Sequence, residues 1–307
     1  MPDLDELPIL RELRDDLAAA FIRETPPARR PRWRWLLPAG GLCAAGAAAA
    51  ALALTSGLDE GQVAPPPATA AALLRQAAGV ALARPSELPA PDEFFYVHSL
   101  ATNLTQNEGA GAPDSRLVTT DRRAWTSLER PGRLLQRRSD GINMTPTDVL
   151  GPLGGYHVGN ERLSRVKLLA FPTDPEAIIA RLRDGYVAGQ GGSLYAELYV
   201  QIGDALREQP APPALRAGFY GALARIPGVV LLGAVTDRAG RTGQAVARTS
   251  DGVRHELVLD PGSSELLAER ETLLDPRAAG VTLPAGTLIT DTSYLDRRVM
   301  QGTDHVP

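Results

Sequence analysis

Hydrophobic positions along the chain change period four times. In the first twenty-odd residues Leu10, Leu13, Leu17 and Phe21 recur at three- to four-residue spacing, with Glu12, Asp15 and Asp16 opposite, which predicts an amphipathic helix of about three turns. Residues 36–58 then run without any charge, and at about 1.5 Å per residue a helix of that length covers a hydrocarbon core of roughly 30 Å. "DEGQVAPPPA" follows as a stiffened, proline-rich spacer. Helical spacing returns over 69–82, where Leu73, Leu74, Ala77, Ala78 and Ala81 share one side.

Beyond residue 93 the period shortens to that of strands. "EFFYVHSL" (93–100), "RLVTTDRRAWTSL" (116–128) and "GRLLQRRS" (132–139) predict antiparallel neighbours, the connection 102–115 forming a longer loop with Gly109, Gly111 and Pro113. Helices begin again around Leu168. In "FPTDPEAIIARLRDG" either Thr173 or Asp174 can cap, Glu176 completes a Thr-x-x-Glu box, Pro175 suits the first turn and Gly185 terminates, so 175–183 is predicted helical. Two further helices are expected over 194–208 and 213–225. The final third is a second strand series, punctuated by Arg238-Ala239-Gly240, Asp251-Gly252, Pro261-Gly262 and Asp275-Pro276 and ending in 288–300. The expected fold class is α+β: a transmembrane helix, then an extracytoplasmic domain with a curved, half-barrel-like antiparallel sheet of seven or more strands packed by helices.

Composition sharpens the topology. Arg29, Arg30, Arg32 and Arg34, with Trp33 and Trp35, precede the uncharged run, and Asp59 and Glu60 follow it. Arginines on that side and interfacial tryptophans predict a single-pass helix with a cytoplasmic N-terminus, placing the protein in the cell membrane. The resulting division is 1–35, cytoplasmic helix and basic flank; 36–58, membrane span; 59–68, spacer; 69–307, extracytoplasmic domain. Two alternatives remain open at this level. Ala51-Leu52-Ala53 has the small-x-small form of a cleavage site and Arg29-Arg30 could be a twin-arginine element, while alanine and glycine are abundant enough for a helix of a soluble domain.

Charge and chemistry exclude more than they offer. The formal net charge is -4, so nucleic acid is not the expected partner. Cys43 is the single cysteine, which leaves no intramolecular disulfide and no cysteine metal cluster. His98, His157, His255 and His305 lack metal-ligand spacing, and the segment before the arginines has neither histidine nor cysteine for a zinc motif. Ser164-Arg165-Val166-Lys167 has the spacing of an acyl-enzyme serine and its lysine base, but Lys167 is the only lysine, so the companion Lys-Thr-Gly element cannot exist. "GQGG" (189–192) lacks the Lys-Ser/Thr of a phosphate loop. No catalytic, cofactor-binding or metal residue is therefore assigned, and a non-enzymatic role is expected. Phe94, Tyr96 and Trp125 are candidates to line a cavity between sheet and helices, although core packing accounts for the same residues.

Three stretches, "PTDPEAIIARLR", "ALARIPGVVLLGAVTDRAGRTGQAVARTSDGVRHELVLDPGSSELLAER" and the terminal "YLDRRVM", together with the acidic N-terminal helix, arginine cluster and alanine-rich run, resemble a family of uncharacterised actinobacterial single-pass membrane proteins. That resemblance implies genes beside alternative sigma factors, and hence a regulatory role. More distantly the layout is similar to the half-barrel of lipoprotein carriers and periplasmic anti-sigma regulators, a likeness of fold alone. Two expectations follow. One is a membrane-anchored envelope regulator or sensor whose Leu10, Leu13, Leu17 and Phe21 contact a cytoplasmic protein such as a sigma factor; the other is a carrier or chaperone for a lipid or lipoprotein.

Overall fold

The computed structural model describes residues 69–107, 114–141, 156–189, 192–207, 209–279 and 282–303, all within the unit Val63–Pro307. The segment bearing Leu10, Leu13, Leu17 and Phe21, the uncharged run 36–58 and the spacer 59–68 lie outside the described residues. Among the described residues no helix is long and apolar enough to cross a membrane.

Helix α1 (Ala70–Ala83) starts where the Thr69 hydroxyl accepts the Ala72 N–H at 3.1 Å. It stops at Arg84, whose extended backbone is what the following Pro85 requires. Its Leu73, Leu74, Ala77 and Ala81 are buried, the stripe that spacing predicted. Strands β1 (Phe94–Asn107), β2 (Asp114–Thr126) and β3 (Arg133–Arg138) form the first meander. A small hairpin of β4 (Tyr156–Val158) and β5 (Glu161–Leu163) comes next, then the one-turn helix α2 (Arg165–Leu169). Helix α3 (Pro175–Asp184) is capped by Asp174, which accepts the N–H groups of Glu176 and Ala177 at 3.0 and 2.9 Å; of the two residues able to cap, Asp174 does. Helices α4 (Leu194–Arg207) and α5 (Pro213–Leu223) complete the layer.

The second meander comprises β6 (Val230–Thr236), β7 (Thr242–Ser250), β8 (Val253–Leu259), β9 (Leu266–Leu273) and β10 (Leu288–Met300). Asp251 and Gly252, both at positive φ (50° and 78°), form the β7–β8 turn in the geometry that matches strand twist. All eight long strands join one antiparallel sheet in the order β3-β2-β1-β10-β9-β8-β7-β6. The end strands do not pair with each other, so the fold is α+β with a large open sheet. They differ in character. Strand β3 carries Arg133, Arg137 and Arg138, whereas β6 has no charge, exposes Val230 and Leu232, and is interrupted by a bulge between Leu231 and Gly233.

One face of the sheet packs against the helices. Phe95 and Val97 of β1, Val246 of β7, Leu257 and Leu259 of β8 and Tyr294 of β10 join Leu74, Ile178, Ile202 and Phe219 in one cluster. Three buried tyrosines fasten this layer: Tyr199 of α4 donates to Val246 O of β7 at 3.1 Å, Tyr220 of α5 to Ser264 O at 2.5 Å, and Tyr156 of β4 to Ala205 O of α4 at 2.6 Å. Burial pushes all three phenols above their ordinary value, so they remain protonated donors. The opposite face holds two smaller clusters, Ala245, Val258, Leu267 and Ala268, and Phe94, Tyr96 and Trp125.

The segment 156–169 contains the β4–β5 hairpin and α2. The Ser164 hydroxyl caps α2 by accepting the Lys167 N–H at 3.4 Å, and Lys167 Nζ lies 4.0 Å from Glu161. The Ser-x-x-Lys spacing thus serves a helix start.

Helix α5 crosses the entry to α3 at Gly218, where an added Cβ would run into Thr173 O and come within 2.7 Å of Ile178 Cδ1. Gly218→Ala should therefore destabilise the protein by about 1–3 kcal/mol. Gly79→Ala, at an exposed position of α1 with open space around the new methyl, should stabilise by roughly 0.5–1 kcal/mol. Urea midpoints of both variants check the pair, and a Gly218→Ala midpoint equal to that of the unsubstituted chain would contradict the packing described.

Candidate functional site

Cross-strand pairing lines up side chains from distant parts of the chain on the helical face. Asn103 of β1 pairs with Thr290 of β10, Thr290 with Glu271 of β9, and Glu271 with His255 of β8. A parallel row runs from Ala101 through Thr292 and Glu269 to Leu257. Arg122 of β2 stands opposite Ser99, which pairs with Tyr294. These rows floor a cleft of about 500 Å³ whose wall is α4, through Tyr199, Val200, Gly203 and Arg207.

The cleft is built of paired charges. His255 Nδ1 and Glu271 Oε1 are 3.1 Å apart, and the Thr290 hydroxyl donates to Glu271 Oε2 at 2.9 Å. Arg207, the last residue of α4, donates from Nε to Glu269 Oε1 at 3.2 Å, and its Nη2 lies 2.7 Å from Glu269 Oε2 and 2.6 Å from Asp204 Oδ1. A guanidinium there also meets the negative end of the helix dipole. Burial is the largest single influence and works against the charge of Arg207, but Glu269, Tyr294 and Asp204 together outweigh it and hold the guanidinium above its ordinary value. The carboxyl of Glu271 is held below its ordinary value, first by the hydrogen bond with His255; partial burial opposes this, and the His255 charge, Thr290 and Arg207 reinforce it.

This lining suits a polar ligand able to exchange hydrogen bonds with both signs of charge. An acyl chain in the same place would desolvate Arg207, Glu269, His255 and Glu271 without replacing their bonds to water. As chemistry, a histidine oriented by a carboxylate has the geometry of a general base. The Thr290 hydroxyl, however, donates to Glu271, so it does not form the nucleophile–base hydrogen bond of an acyl-transfer site.

The candidate cavity residues lie elsewhere. Phe94, Tyr96 and Trp125 cluster on the opposite face with Leu135 and Met300, and none of them lines the cleft. The Tyr96 and Trp125 ring centroids are 4.9 Å apart at 50°, Arg133 lies over Trp125 at 5.5 Å, and Arg130 over Phe94 at 5.1 Å. Phe95, one residue out of phase, points to the helical face. Leu10, Leu13, Leu17 and Phe21 lie outside the described residues. The cleft residues escape sequence reasoning because Glu269 and Glu271 in "ELLAERETLL" look like an ordinary solvated stripe; only the register with β8 and β10 gives them partners. His98 pairs with Asp121 at 3.0 Å, and among the described residues no group of histidine, cysteine and carboxylates could hold a metal ion. Searches against protein-family models and against curated proteins find no match to the chain.

A carboxyl that is a stronger acid in the folded state contributes its full stabilisation above its unfolded value, near 4.5, and loses it as pH falls through the lower folded value. Stability should therefore drop below about pH 4.5, and His255→Ala should make that part of the profile shallower. A carboxyl-carbon NMR titration of Glu271 reads the same effect directly: its midpoint should lie below 4.5 and move upward in His255→Ala. A midpoint that stays put would remove His255 as the cause.

Proposed function

We propose that the protein is a membrane-anchored, non-enzymatic regulator or sensor of the cell envelope, with anti-sigma-like signalling. In this reading the uncharged run 36–58 is a single-pass anchor, the domain beyond it is extracytoplasmic, and its mixed-charge cleft takes a polar ligand or partner segment. The helix bearing Leu10, Leu13, Leu17 and Phe21 contacts a cytoplasmic protein, for which the family resemblance suggests a sigma factor. The observation that carries the reading is the cleft between α4 and the sheet, with the Arg207–Glu269 and His255–Glu271 pairs on its surface. The open antiparallel sheet with helices on one face supports the likeness to half-barrel regulators and carriers, and makes a curved sheet the expected finer form. The alternative, a lipid or lipoprotein carrier, draws on the same architecture but gains no support from a cleft lined by charge.

Tagging both ends and treating wall-stripped cells with protease tests the topology: the N-terminal tag should survive and the C-terminal tag be lost from a full-length membrane protein. A shortened product outside the membrane would overturn the anchor and return the carrier reading. With topology established, replacing Leu13 and Leu17 by aspartate should reduce recovery of the cytoplasmic partner from membranes at least tenfold, as loss of about 1.5–3 kcal/mol per buried leucine allows. Undiminished recovery would strike out the cytoplasmic limb.

A further inference from the structure

The carboxylates of the cleft are matched inside the protein before any ligand arrives. Glu269 has both oxygens on Arg207, whose Nη2 also meets Asp204. Glu271 has one oxygen against His255 Nδ1 and accepts the Thr290 hydroxyl with the other. An anionic ligand would have to draw Arg207 away from two carboxylates, and a cationic one would have to detach Glu269 or Glu271 from partners already in place. A neutral ligand disturbs neither pair. Among the described residues, four groups lining the cleft keep hydrogen-bonding capacity that no protein group takes up: the Asn103 amide, the Thr292 hydroxyl, Nη1 of Arg207 and Nε2 of His255. With Glu271 ionised, Nδ1 of His255 is the donor to it, and Nε2 is the acceptor of the neutral ring.

Strand spacing adds a length to this chemistry. Asn103, Thr290, Glu271 and His255 sit side by side on β1, β10, β9 and β8, so their row advances about 4.8 Å per strand and spans about 14 Å. An extended peptide laid along that row advances about 3.3 Å per residue with its side chains alternating, and it falls out of step. One pyranose of an extended glycan is close to one strand spacing. Each ring also presents hydroxyls, which donate and accept at the same atom and so match a lining that mixes guanidinium, imidazole, amide and carboxylate. The exposed Val200 of α4 and Leu257 of β8 supply apolar surface for the C–H faces of the rings. We propose that the cleft between α4 and the sheet binds a neutral, extended oligosaccharide lying across β1, β10, β9 and β8. This rests on the reading of the cleft as the ligand site, and not on the membrane anchor.

The test is titration of the full-length chain, in a detergent without a sugar headgroup, with cellotetraose and its N-acetylated counterpart chitotetraose, read by saturation-transfer NMR and calorimetry. At least one should bind, and its affinity should climb from disaccharide to tetrasaccharide and level off beyond it, because the row crosses four strands. Asn103→Ala and Thr292→Val should each weaken binding about three- to tenfold, with urea midpoints showing both to be folded. Val200→Trp, which fills the cleft from its exposed wall, should abolish it. No binding of either tetramer, affinity that ignores chain length, or binding that survives Val200→Trp would overturn the proposal. So would tighter binding of the glucosamine tetramer, which carries an ammonium on every ring. A neutral peptide of serine, asparagine and glycine separates two failures. If it binds where the tetramers do not, and Val200→Trp blocks it, the cleft remains a ligand site and the glycan is removed; if nothing binds, both are removed.

Discussion

Everything that makes this domain one object depends on the pairing of β1 with β10. The register runs from Phe94 opposite Met300 to Asn103 opposite Thr290, joining strands from opposite ends of the described chain. Without it the two meanders would be separate sheets of three and five strands. Closing so long a segment is unfavourable in entropy, but the penalty grows only logarithmically with length, and a ladder of this extent recovers it. The same pairing creates the cleft, because the row from Asn103 to His255 exists only when β1 and β10 are adjacent.

The helical layer is fixed with comparable economy. Tyr199, Tyr220 and Tyr156 each deliver a hydroxyl to a main-chain carbonyl of another element, and a buried hydroxyl left without its acceptor would cost about 1–3 kcal/mol. Such bonds fix register as well as adding stability. They set α4 over β7 and β8, so that its C-terminal turns, with Val200, Gly203 and Arg207, overhang strands β9 and β10 without covering them. The binding surface is the part of the sheet that the helices fall short of.

How far the sequence anticipates this depends on how many faces of an element are apolar. Helices α1, α3 and α4 have one buried stripe each and recognisable ends, and their boundaries agree with the structure to within one residue. Strand β10 agrees over its whole span, and Asp251-Gly252 is the turn its dipeptide announces. Strand β1 is different. Phe94, Phe95, Tyr96 and Val97 are all buried, two on each face, so alternation cannot say which pair faces the helices. The charged cleft is illegible for the complementary reason: its carboxylates acquire meaning from residues on other strands, and pairing across the sheet is long-range information. The β4–β5 hairpin is too short for any periodicity to register.

The unlike ends of the sheet limit how copies of this domain could ever join. An edge bearing the long charged side chains of Arg133, Arg137 and Arg138 is a poor template for an added strand, so β3 resists sheet extension. Strand β6 has no charge to defend it, only the bulge at Leu231–Gly233, and among the described residues it is the end where another strand could dock. Head-to-tail addition needs both ends and is disfavoured; β6 against β6 is two-fold and uses up both partners' open edges at once. Assembly through β6 would therefore stop at two copies, and among the described residues a fibre built by strand addition would find only the arginine-bearing β3 edge on which to grow.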